Sequence, residues 1–162
     1  MSVPKELRYL LDYLHQKGLE QPQLFVDTGN NEEIQTLVDY LDTGRDLEEY
    51  QGSVQSVGGC LIFFLQSLQQ PVVDSSIVEK CVGLSSAEEC GKYLLGATTV
   101  HYSVFMYLMA FLREEVLLQS AKNGLTAERL GESLRSPLCA FADCLHSLHI
   151  RTSTPSYFTP EY

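Results

Sequence analysis

Apolar residues recur at three- and four-residue intervals through most of this chain. Leu7, Leu10, Leu11 and Leu14 keep the i, i+3, i+4, i+7 spacing of one helix face, with Pro4 suited to the first turn. Gly18, in "HQKGLEQPQ", ends that helix and opens a loop. In "PQLFVDTGNNEEI", residues 22–34, Leu24 and Phe25 read as an anchored apolar pair and Gly29-Asn30-Asn31 as a sharp exit. Val26 lies between them, where a loop presents a side chain to whatever binds there. A second stripe, Ile34, Leu37, Val38 and Leu41, follows. Glu32 and Glu33 favour its positive end, and Gly44 closes it.

The third stripe, "SVQSVGGCLIFFLQSLQQP", places Val57, Leu61, Phe64, Leu65 and Leu68 on one broad face and stops at Pro71. Gly58 and Gly59 inside it cost helicity but allow a neighbour to pack closely. Residues 75–95 predict a helical pair broken around Gly83 and Ser85-Ser86. "VHYSVFMYLMAFLREEVLLQSA", residues 100–121, is apolar nearly all round, which predicts the central buried helix. "TAERLGESL" and "LCAFADCLHSLHI" predict shorter helices. The expectation is an all-α domain over residues 1–150, followed by a Pro- and Thr-rich tail over 151–162.

Length and composition fit that picture: 162 residues, 44% hydrophobic and 20% charged, are enough for one domain with a real core. Eleven Lys and Arg against 21 Asp and Glu give a net charge of −10, and the basic residues are scattered singly. Neither nucleic acid nor an anionic lipid surface is an expected partner of such a chain. No apolar run is long enough to cross a bilayer, so direct membrane insertion is not expected, and the acidic residues near the N-terminus argue against a signal peptide. Five cysteines with no CxxC spacing read as reduced thiols of a cytoplasmic protein.

Candidate chemistry is sparse. Cys139, Cys144, His146 and His149 lie close in sequence, but on one helix Cys144 points away from Cys139 and His146, so no metal site is expected. There is no G-x-S-x-G or P-loop sequence, and Gly58-Gly59 lies mid-helix. The pairs Glu48-Glu49, Glu88-Glu89 and Glu114-Glu115 are adjacent residues that point apart, as solvated helix faces do. His101 reads as a satisfied polar residue at the start of the central helix. No cofactor is implied.

Several segments resemble the RhoGAP domain, the all-helical module that stimulates GTP hydrolysis by Rho-family GTPases. "VPKELRYLLDYLHQKGLEQPQLFVDTGNNEEIQTLVDYLDTG" is similar to its opening, which runs through a loop usually read "GIFRxSG". "SVGGCLIFFLQSLQQPVV" resembles "LKxFLRELPEPL", and "SAKNGLTAERLGESL" resembles "NKMTxxNLAxxFGPxL". The resemblance is collinear from residue 3 to about residue 140. Within the family, "LVDYLDTG", "YLMAFLRE" and "SAKN" look like the RhoGAP-like domain at the C-terminus of type II inositol polyphosphate 5-phosphatases.

In an active RhoGAP domain this loop delivers an arginine whose guanidinium stabilises charge on the transferred phosphoryl group, an effect of ~10³–10⁵ in rate. The resemblance puts Val26 at that position, Ile62 where a lysine is expected, Gln66 where an arginine is expected, and Arg129 near an expected asparagine. Valine is uncharged and donates no side-chain hydrogen bond. Arg45 and Arg113 lie outside the loop. The implied function is a non-catalytic interaction module of an inositol polyphosphate 5-phosphatase, in signal transduction and endocytic traffic.

Its implied partners are GTP-loaded Rac and Cdc42 type GTPases and Phe-and-His peptides of endocytic adaptor proteins. Leu24, Phe25, Val26, Asp27, Asn30 and Gln66 are the GTPase-contact candidates, and Phe63, Tyr102, Phe105, Tyr107 and Phe111 the peptide-binding candidates. The alternatives are a structural domain that meets only peptides or its parent chain, and a true activator using an unconventional residue. Cytoplasmic location, with peripheral association with endosome and Golgi membranes through the parent protein, is implied by the resemblance. "RSPLCAFADCLHSLHI" replaces the expected exit, which points to a missing last helix and an uncovered apolar patch.

Overall fold

The structure, a computed structural model, describes residues 3–74, 76, 77, 80, 84, 86–96 and 99–134. Among these every regular element is helical, as the stripes predict. Helix α1 is Lys5–Lys17, α2 is Asn31–Thr43 and α3 is Val54–Ser67, with a 3-10 turn at Leu47–Glu49 between the last two. Then come α4 (Ala87–Leu94), α5 (Thr99–Phe111), α6 (Ser120–Asn123) and α7 (Ala127–Leu134). No helix of the described residues is long and apolar enough to cross a membrane. "LCAFADCLHSLHI", its cysteines and histidines, the tail and the expected end of the domain at residue 150 lie outside the described residues.

Local chemistry sets the helix ends. Asn30 caps α2 by accepting the Glu32 N–H at 2.7 Å, and Gly44 ends it in the left-handed region at φ +69. Ser53 caps α3 through the Ser56 N–H. That helix stops at Ser67, short of Pro71. The Ser67 hydroxyl bonds back to the Phe64 carbonyl at 2.7 Å, and the chain turns extended at Leu68.

Both α1 and α2 pack on α3. Leu7, Leu10, Leu11 and Leu14 of α1 and Leu37 of α2 are buried against Val57, Cys60, Leu61 and Leu65. Val104, Phe105, Leu108, Phe111 and Leu112 extend the same core, closed by Leu125, Leu130 and Leu134. Burial pushes the Cys60 thiol up to about 12, so it is a neutral core filler.

The predicted central helix is not continuous to residue 121. After Phe111 it widens into a π turn, Leu112–Val116, and tightens into a 3-10 turn, Leu117–Gln119. The Val116 carbonyl is used instead by the Asn123 side-chain amide, which donates to it and to the Leu19 carbonyl, each at 2.9 Å. The same Asn123 accepts the Leu125 N–H at 2.9 Å. One buried amide therefore ties three segments together, and with it the ladder departs from regular α geometry.

Two glycines test the packing in opposite directions. A Cβ at Gly59 would lie 2.1 Å from the Thr28 carbonyl oxygen, whereas one at Gly91 in α4 meets nothing within 4 Å. Gly59→Ala is expected to lower stability by ~1–3 kcal/mol and Gly91→Ala to raise it by ~0.5–1 kcal/mol, both read from urea unfolding midpoints.

Candidate functional site

The loop between α1 and α2 is built on two left-handed residues. Gln23 and Phe25 have φ of +60 and +68, a conformation costing an L-residue about 1–2 kcal/mol each. The N–H groups of Val26 and Asp27 both donate to the Gln23 carbonyl at 2.9 Å, and Asp27 Oδ1 accepts the Gly29 N–H at 2.9 Å. Leu24 and Phe25 are turned inward and fully buried. Burying each contributes ~1.5–3 kcal/mol, which outweighs the backbone strain. The same twist turns Val26 outward, with 37% of its surface exposed.

This loop lies directly on the first half of α3. A Cβ at Gly58 would sit 3.2 Å from Leu24 Cδ1 and 3.5 Å from the Phe25 nitrogen. Gly59 lies under the Thr28 carbonyl, and Gly29, with φ +69, lies against Ser56. The close packing expected of the glycine pair is thus made with the loop backbone itself.

The exit of the loop is held by polar groups. The Asn30 N–H donates to Ser56 Oγ at 3.0 Å, and the Ser56 hydroxyl donates to Glu33 Oε2 at 2.5 Å. The same carboxylate oxygen accepts from Ser53 Oγ at 2.9 Å, from the Ser53 N–H at 3.1 Å and from Tyr50 Oη at 3.2 Å. Hydrogen bonds from Ser56 and then Ser53 hold the Glu33 carboxyl below its ordinary range. Tyr50 also meets the rings of Tyr13 and Tyr40 edge-on, with centroids 6.2 and 6.4 Å away. Burial, followed by the Glu33 charge, raises its phenol.

The other candidates do not form one cluster. Asp27, Asn30 and Gln66 are exposed, while Leu24 and Phe25 are core residues that shape the loop from beneath. Ile62 is buried on α3, one turn before Gln66. Arg129 is exposed and donates to the Gly124 carbonyl at 3.3 Å. The Arg45 guanidinium stacks over the Tyr40 ring at 5.3 Å, and Arg113 is exposed on the π turn. Among the aromatic candidates Phe105 and Phe111 are buried in the core, where no peptide reaches them while it is closed. Tyr102 and Tyr107 are half-buried, and Phe63 is 48% exposed.

A cavity of about 400 Å³ between α1 and the segment after α2 was not legible in sequence. Tyr9, Asp12, Tyr13, Arg45 and Glu48 line it, residues brought together only by packing. The one sequence signal is Tyr9 and Tyr13 at i, i+4. No group of three or more potential metal ligands forms among the described residues.

The RhoGAP domain profile matches residues 4–140. The chain belongs to the RhoGAP domain family. It is 37% identical over 126 residues to the mouse type II inositol 1,4,5-trisphosphate 5-phosphatase, covering 77% of this chain and 12% of that enzyme. It is 29% identical over 136 residues to mouse Rho GTPase-activating protein 8, covering 79% of this chain and 32% of that protein. The chain therefore spans a small part of these relatives.

Among solved structures, the BH domain from GRAF, the GTPase regulator associated with focal adhesion kinase, superposes with a TM-score of 0.71 at 16% identity, covering 88% of this chain and 85% of that chain. Human Rho GTPase activating protein 15 gives 0.72 at 16% identity, covering 90% and 78%. Identities this low speak for the fold, which is the all-α RhoGAP fold expected from the sequence.

The Glu33 carboxyl carries a pH signature. Its folded pKa lies below the ordinary value of 4.5, so its stabilisation is complete above that pH and is lost as the pH falls through the folded value. The stability gap between wild type and Glu33→Gln is therefore expected to be widest near neutrality. It should close on acidification below about pH 4.5, in urea midpoints measured at a series of pH values.

Proposed function

We propose that this RhoGAP domain is a non-catalytic docking module within a larger protein of the inositol polyphosphate 5-phosphatase type. It holds GTP-loaded Rac and Cdc42 type GTPases without accelerating hydrolysis. The observation that carries this reading is the loop: a strained turn, anchored by Leu24 and Phe25, that exposes an isopropyl group at Val26. Phosphoryl transfer needs positive charge or hydrogen-bond donors aimed at the developing charge, and Val26 provides neither. Ile62, where the resemblance expects a lysine, packs into the core, and Gln66 is neutral. The loop is anchored on α3 by Leu24 and Phe25, which supports a binding surface that carries no charged group at Val26.

Adaptor peptides rich in Phe and His form the second class of partner. Of the surfaces described, the cavity beside Tyr9 and Tyr13 suits them best. It offers aromatic walls and, in Asp12 and Glu48, carboxylates for a protonated imidazole. On α3, Phe63 is an exposed aromatic that a peptide can also reach. Peripheral association with endosome and Golgi membranes then comes from the parent protein and these partners.

Single-turnover hydrolysis of GTP on Rac and Cdc42, with excess domain and a labelled GTPase reporting binding by anisotropy, tests the reading. Binding with an unchanged rate is expected. Acceleration would assign the charge to another residue, with Arg45, Arg113 and Arg129 as the substitutions to make next, and absence of any binding would leave a structural domain. Val26→Arg is expected to give measurable acceleration that stays well short of the ~10³–10⁵ of a complete site, because Ile62 and Gln66 are unchanged.

A further inference from the structure

Val26 and Asp27 hang between two clamps of different chemistry. On the side towards α1 the clamp is apolar: Leu24 and Phe25 are buried over Gly58, and the Thr28 carbonyl lies over Gly59. On the side towards α2 it is polar, and its link to α3 is the hydrogen bond from the Asn30 N–H to Ser56 Oγ. A serine hydroxyl is a rotor with one proton, able to present either that proton or its lone pairs to the loop. Ser56 is fully buried, so water does not decide which. Glu33 does. Its Oε2 lies 2.5 Å from Ser56 Oγ, nearer than Ser53 Oγ at 2.8 Å, and as a carboxylate it takes the Ser56 proton, which leaves the lone pairs for Asn30. Ser53 is arranged likewise: its hydroxyl donates to the same oxygen and accepts the Ser56 N–H at 3.2 Å.

We propose that Glu33 is a positioning residue for the Gln23–Asn30 loop, holding it through the Ser56 hydroxyl in the posture that meets a GTPase. The role rests on the docking function proposed above. Glu33 acts without touching the partner. Its carboxylate is spent on α3 and Tyr50, and it lies in the first turn of α2, immediately after the loop it controls. The Asn30–Ser56 and Ser56–Glu33 hydrogen bonds, closed by the backbone from Asn30 to Glu33, thus form a ring that joins the loop exit, α2 and α3. Opening that ring frees the exit while the apolar clamp stays shut.

The test combines amide hydrogen exchange with GTPase binding, in wild type, Glu33→Gln, Ser56→Ala and the control Glu32→Gln. Glu32 makes the same charge change one residue away, and only its backbone N–H takes part in the cap. The Arg45 N–H, bonded to the Tyr40 carbonyl at 2.9 Å at the far end of α2, serves as the internal reference. In Glu33→Gln and Ser56→Ala, Asn30 exchange is expected to speed up by roughly tenfold relative to Arg45, with no such change in Glu32→Gln. Affinity for GTP-loaded Rac is expected to fall several-fold in the same two variants, roughly the worth of one lost hydrogen bond.

Unaltered Asn30 exchange in Glu33→Gln would overturn the proposal. So would an equal rise at Arg45, which would mean general loosening. A loosened Asn30 with unchanged GTPase affinity would show that docking does not need the posture, and would also refute a positioning role. If wild type binds no GTPase, the docking reading fails by itself, and Asn30 exchange alone then decides whether Glu33 holds the loop.

Discussion

The missing side chains of Gly58 and Gly59 let a loop backbone lie flat on a helix, and the arrangement of the first three helices depends on that contact. Helices α1 and α2 both pack on α3, and the segment joining them must cross its surface. With a Cβ at Gly59 the Thr28 carbonyl would have to lift away. The loop apex would then rise with it, and Leu24 and Phe25 would lose their seats in the core. Two glycines within a helix cost roughly 1 kcal/mol each in propensity, a penalty offset by the burial they permit.

A second constraint is electrostatic. A half-buried carboxylate is tolerated when its lone pairs are taken, and Glu33 has four donors from Tyr50, Ser53 and Ser56 around one oxygen. That concentration of donors lowers its pKa, and it orders hydroxyl groups that would otherwise rotate. The apolar clamp fixes where the loop lies, because burial is strong and non-directional. The polar clamp fixes how its exit is oriented, because hydrogen bonds are directional.

This division separates what the RhoGAP fold requires from what the proposed docking role requires. Helical stripes tolerate exchange of one apolar residue for another, so the core of α1, α2 and α3 survives extensive sequence change. Transition-state stabilisation depends on single charged groups at single positions, and replacing one removes its contribution outright. The packing beneath Val26 is carried by Leu24 and Phe25, so the identity of the exposed residue matters little to the core.

Periodicity, capping residues and the glycine pair determined three opening helices, their ends at Gly18 and Gly44, the anchored Leu24-Phe25 pair and an exposed Val26. These features are local, and local sequence specifies them. Only the tertiary structure decided that Gln23 and Phe25 are left-handed, that the long apolar segment breaks into a π turn, and that Phe105 and Phe111 belong to the core. It alone joined Glu33 to Ser53 and Ser56, twenty and twenty-three positions away. A repeating pattern tells which face of a helix is buried. Which residue lies opposite that face is set by how the helices pack, and packing is a property of the whole chain.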